Sequence, residues 1–152
     1  KLVDIGAYSL MPNHHHLLLR EKIEGGITSF MRKLGTGFTM YFNIKYGRTG
    51  ALFSGRFKAK HIMTDQYLYQ IINYIHANPA ELCEPRWKEG VIRDAKKLRK
   101  FLSSYRFSSL PDYEKKEGRL ESLLSDIETV SEYVTDIPTL ERLLADTQAY
   151  VL

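Results

Sequence analysis

The run His14-His15-His16 is where this chain first offers chemistry. On an extended strand successive side chains alternate between faces, so His14 and His16 point one way and His15 the other. Two neutral imidazoles about 7 Å apart on one face can share a metal ion. The same pair, partly buried, can equally be histidines hydrogen-bonded to backbone. A second pairing is Tyr74 with Asn78, four residues apart and therefore one turn apart on one helix face, with Tyr67 and Ile71 continuing that stripe. A carboxamide oxygen suits a hard cation, and a phenol beside it can attack phosphorus. With ten tyrosines in the chain, one at helical spacing can also be simple packing. The third feature is a row of cations, Arg56, Lys58 and Lys60 at period two, with Arg48 upstream in a glycine-rich stretch. Like charges in a row repel unless an anion lies across them, which points to phosphates as the partner.

These residues need elements to position them. Val3 to Leu10 mixes β-branched, aromatic and small residues before the turn residues Met11-Pro12-Asn13, which predicts a strand, and His14 to Leu19 then completes a hairpin. After Gly25-Gly26, apolar residues at Ile27, Phe30, Met31, Leu34, Phe38, Tyr41 and Phe42 predict a long amphipathic helix with a buried stripe. Gly35 and Gly37 inside it each cost about 1 kcal/mol against Ala, so a close approach by sheet or ligand is expected there. Residues 47–55 read as a loop, and Arg56 to Ile62 alternates as a third strand with a basic face. Thr64 or Asp65 caps a helix over about 65–78 whose buried stripe is Leu68, Ile71, Ile72 and Ile75, ended by Asn78-Pro79. One more helix is expected near 92–103, and residues 117–150 predict two acidic helices broken at Pro138.

At 152 residues the chain supports one main core, and 43% apolar with 26% charged residues excludes a disordered chain. Its apolar runs are far too short for a membrane span. A single cysteine, Cys83, excludes an internal disulfide, and the expected setting is the reducing cytoplasm. Charge divides along the sequence. Residues 1–108 hold 18 of the 22 Lys+Arg and 8 of the 18 Asp+Glu, a net +10, whereas residues 109–152 carry −6. The basic part suits a polyanion; a basic solvated surface is the bland alternative.

Five ordered blocks carry a resemblance: Met11-Pro12-Asn13-His14-His15-His16-Leu17-Leu18-Leu19, Gly26-Ile27-Thr28-Ser29-Phe30-Met31-Arg32, Tyr41-Phe42-Asn43, residues 47–58 and Tyr74-Ile75-His76-Ala77-Asn78-Pro79. In order and spacing they resemble the single-tyrosine HUH transposases, and most of all the REP-associated tyrosine transposase branch. Ser103-Ser104-Tyr105-Arg106 resembles the family's Ser-Ser-Tyr element, so the likeness covers about residues 3–110. It implies an α+β fold, a ferredoxin-like or RRM-like antiparallel sheet backed by helices, with a domain over 1–110 and an acidic helical extension over 111–152. His15 stands where the family has an apolar residue. The chain starts thirteen residues before His14, where the family has a further strand and helix, so a missing edge strand is expected.

The resemblance also implies a function: nicking and rejoining of single-stranded, hairpin-bearing DNA through a 5′-phosphotyrosine intermediate. It assigns Tyr74 as nucleophile and His14, His16 and Asn78 as ligands of Mg²⁺ or Mn²⁺. Arg48, Arg56, Lys58 and Lys60 are the expected DNA-binding residues, and the partners are hairpin or single-stranded DNA and a second copy in a homodimer, at the nucleoid and away from membranes. Two other readings compete. One is a hairpin-binding descendant without catalysis, and the other a metal-dependent hydrolase using His14, His16 and His61.

Overall fold

Two antiparallel strands, β1 (Val3–Leu10) and β2 (His15–Glu21), form the sheet of the computed structural model, which describes residues 1–115 and 118–134. The turn between them closes with Met11 N–H donating to His14 O at 2.8 Å, so Pro12 and Asn13 sit at the bend, as their turn chemistry requires. The other edge of β1 is also used. Leu10 N–H donates to Phe107 O, Ser109 N–H donates to Tyr8 O, and Ser9 bridges antiparallel to Ser108. Helices follow: α1 (Gly26–Tyr46), α2 (Asp65–Ala77), α3 (Ala95–Ser104), α4 (Leu110–Tyr113) and α5 (Glu128–Ser131), with short 3-10 turns at Asn78–Leu82, Trp87–Glu89 and Leu120–Leu124. The class is α+β, as expected.

The chain divides into two units. One comprises residues 5–19 and everything described from 62 onward, and holds two apolar clusters. In the first, Ile72 and Ile75 from α2 pack with Ala7, Leu18, Val130 and Val134; in the second, Ala77, Ala80, Trp87, Leu98, Leu102 and Leu110 pack together. Of the expected α2 stripe, Ile72 and Ile75 are buried, and Leu68 and Ile71 are half-buried against the same cluster. Thr64 caps α2, its side chain accepting from Tyr67 N–H. Gly6 is required by close approach, since a Cβ there would lie 2.7 Å from Val130 Cγ2.

The other unit, residues 1–4 and 20–61, carries α1. Buried Asp4 receives Lys1, Arg20 and Lys22, and these cations, Lys1 foremost, hold its carboxyl well below the usual carboxylate range despite desolvation. A Cβ at Gly26 would strike Leu2 O at 2.3 Å, so glycine is needed where α1 begins.

Four expectations are corrected. Arg56 to Ile62 is not a strand: Arg56, Phe57, Lys58, Ala59, Lys60 and His61 are all exposed, and no sheet edge pairs with them among the described residues. Alternation alone does not make a strand without a partner edge and a face to bury. The α1 stripe is not buried either, for Leu34, Phe38 and Tyr41 are 40–56% exposed. Gly37 faces open space and Gly35 meets only Phe53 at 3.9 Å, so neither marks a close approach. In the acidic segment the expected first helix is not formed, for Leu120 and Leu123 are exposed on a 3-10 turn, and Val130 is buried on the short α5. There Asp126 N–H donates to Ile5 O at 2.7 Å, an external bond that replaces helix continuation. Pro138 and the second acidic helix lie outside the described residues. Among those described, no helix is long and apolar enough to cross a membrane.

Candidate functional site

The start of β2 and the end of α2 meet within the unit formed by residues 5–19 and 62–134. His14 lies just before β2, and its Nδ1 pairs with Asn13 Oδ1 at 2.6 Å. Asn13 Oδ1 can only accept, so Nδ1 carries the proton and the neutral ring keeps its lone pair on Nε2. The His14 and His16 rings stand edge to face with centroids 5.0 Å apart, on one face as their spacing predicts. His16 in turn stands edge to face with Tyr74 at 5.3 Å. Burial foremost, then the charges of His14, Lys88 and His15, lower the His16 pKa to about 4, so its imidazole is neutral at physiological pH.

Tyr74 and Asn78 come from one turn of backbone. Asn78 has helical φ and ψ although it begins the 3-10 turn, and its N–H donates to Tyr74 O. The Asn78 side chain is fully buried, and its Nδ2 donates to His16 Nε2 at 2.7 Å. Its Oδ1 has no hydrogen-bond partner. A buried carbonyl oxygen left unpaired costs about 1–3 kcal/mol, so its presence on an amide that meets His16 calls for an explanation.

The register of α2 is held from its other side. His76, fully buried two residues from both Tyr74 and Asn78, pairs through Nε2 with Ser109 Oγ at 2.8 Å. Ser109 Oγ also accepts from Tyr8 N–H, which ties α2 to β1. Tyr113 stacks edge to face on His76 and donates its hydroxyl to Gly6 O at 2.7 Å. Sequence reasoning missed this clamp, since nothing in spacing tells a buried histidine's partner thirty-three residues away. It also missed Lys88, which lies on the Trp87–Glu89 turn with its Nζ 5.8 Å from the centre of the Tyr74 ring. The only signal for it was the adjacent Trp87, the sole tryptophan, as a core anchor.

The structure thus brings His14, His16, Tyr74 and Asn78 together. Arg48, Arg56, Lys58 and Lys60 lie on the exposed 47–61 segment of the other unit, with Arg48 over the Phe42 ring at 5.6 Å. They do not share a strand face. Among the described residues no group of three or more His, Cys, Asp or Glu could hold a metal ion.

An α+β protein that presents a helix tyrosine and amide to a pair of imidazoles on a hairpin belongs to a narrow class. The family model described as Transposase IS200 like matches residues 1–78, which include all four residues of the cluster, and the chain belongs to that family of DNA-processing enzymes. No curated protein and no solved structure matched it.

Proposed function

We propose that this transposase-family protein cleaves and rejoins single-stranded DNA at hairpin-bearing ends with Tyr74 as nucleophile, as in the REP-associated branch that its five sequence blocks resemble. The observation that carries the reading is the contact of Tyr74 with His16 beside the unpaired, buried Asn78 Oδ1. Tyr74 Oη attacks phosphorus, and the phosphorus bond to the 3′-oxygen breaks, giving a 5′-phosphotyrosine and a 3′-hydroxyl. One phosphate ester replaces another, so the reverse attack rejoins the strand without a further energy source.

The donor set fits a divalent ion. With the Asn78 amide turned over, so that His16 Nε2 no longer accepts from Nδ2, His14 Nε2, His16 Nε2 and Asn78 Oδ1 would hold Mg²⁺ or Mn²⁺, and the amide oxygen would gain the partner it lacks. Bound there, the ion supplies Lewis-acid withdrawal of charge from phosphate oxygens. The chain's own residues do the rest. Asn13 fixes the His14 tautomer, burial keeps His16 neutral, and the His76–Ser109 clamp holds the helix turn that carries Tyr74.

Labelled hairpin DNA with a single-stranded flank, incubated with Mg²⁺ and run on a denaturing gel, tests this. A covalent adduct is expected from the wild type and none from Tyr74→Phe, whose DNA affinity should stay within about twofold because a single oxygen is removed. Binding without adduct in the wild type would favour the non-catalytic hairpin-binding descendant. Adduct persisting in Tyr74→Phe would move the role to Tyr67 or Tyr69.

A further inference from the structure

Lys88 lies beyond the residues the family model matches and outside every sequence block that carries the resemblance. Its turn is nevertheless built against the site. Trp87 is 2% exposed in the cluster that also holds Ala77 and Ala80, and Tyr74 packs on the same cluster. The buried indole therefore anchors the backbone next to α2, and the following side chain projects its ammonium to 5.8 Å from the Tyr74 ring centre, within cation–π range. The carboxylate partner of Lys88 among the described residues is Glu81 at 3.2 Å, an exposed pair with side chains 40% and 47% accessible. An exposed pair of this kind contributes little to stability, so an incoming phosphate can displace Glu81.

We propose that Lys88 is a catalytic residue of the reaction assigned to Tyr74, its ammonium contacting a non-bridging oxygen of the phosphate under attack. The inference rests on the nicking reading above. The chemistry needs such a cation. As Tyr74 Oη bonds to phosphorus and the bond to the 3′-oxygen breaks, negative charge accumulates on the phosphoryl oxygens. The phenol gives its proton to solvent, the departing 3′-oxygen takes one up, and Lys88 keeps its own throughout. A lysine on a four-carbon stem with three donors can follow those oxygens through attack and rejoining. Glu81 holds it in place until DNA arrives.

Two measurements test this in the full chain. The first is single-turnover adduct formation on hairpin-flanked single-stranded DNA with Mg²⁺ by wild type, Lys88→Met and Lys88→Arg. Lys88→Met is expected to be slower by about 10²-fold, with Lys88→Arg recovering most of the loss because the charge is kept. The second is equilibrium DNA binding against salt in a Tyr74→Phe background, with and without Lys88→Met. One lost phosphate contact should lower the slope of log affinity against log salt by about 0.7. A wild-type rate in Lys88→Met, an equal loss in Met and Arg variants, or an unchanged salt slope overturns the proposal. A changed slope in a protein whose wild type forms no adduct overturns the catalytic role and the nicking reading together. An unchanged slope beside normal wild-type adduct overturns Lys88 alone.

Discussion

At the scale of single residues, the buried polar groups on α2 are the informative ones. His76 is fully buried and uncharged, and burial lowers its pKa to about 3. In the unfolded chain it titrates near the ordinary 6.5. Between these values the unfolded state binds a proton that the folded state refuses, so stability rises with pH across that window. The contribution is complete above about 6.5 and drains away as pH falls toward 3. Urea unfolding of wild type and His76→Leu between pH 7.5 and 5 checks it. The wild type should lose up to about 1.4 kcal/mol more per pH unit than the variant below pH 6. Parallel curves would show that some other group sets the acid sensitivity. His16, lowered to about 4, adds a slope of the same sign to both proteins and drops out of the comparison.

At the scale of elements, β1 decides how α2 and the acidic segment are seated. Its residues are buried nearly throughout, with β2 on one edge and residues 107–109 on the other. Gly6 lies where Val130 and Leu18 close over the strand, and a methyl group has no room there. Gly6→Ala should cost about 1–3 kcal/mol by overpacking, read as a lower midpoint in thermal melting with no change in helical signal. A variant as stable as wild type would mean that the 118–134 segment moves aside without loss. This also explains what was legible in the sequence. Local signals gave β1, the hairpin turn, α2 with its Thr64 cap and the one-turn spacing of Tyr74 to Asn78, because each is set by neighbours within a few residues. Arg56 to Ile62 misled because period two describes a strand only where an edge is available to pair. The His76–Ser109 clamp and the Lys88 approach to Tyr74 were invisible, since both depend on segments distant in sequence.

At the scale of the whole molecule, charge is the property that sequence and structure read together. Net +10 over residues 1–108 is matched by exposed cations on the 47–61 segment, Arg56 and Lys58 among them. A polar edge strand guarding against aggregation would explain such a row. That explanation loses its premise, because residues 56–62 form no strand and there is no edge for them to guard. Phosphate contact and a plain solvated basic surface are the two readings left, and salt dependence separates them. Each contact by Arg or Lys releases counterions, so Arg56→Ala/Lys58→Ala should lower the slope of log DNA affinity against log salt by about 0.7 to 0.9 for each contact removed. The loss should be similar for related DNA sequences, since phosphates carry no base information. Affinity for hairpin DNA measured at several salt concentrations, for wild type and the double variant, gives both numbers. A slope that does not change would move the phosphate contacts to the basic stretch of Arg93, just before α3, and Lys96, Lys97, Arg99 and Lys100 along it, where the same substitution test applies.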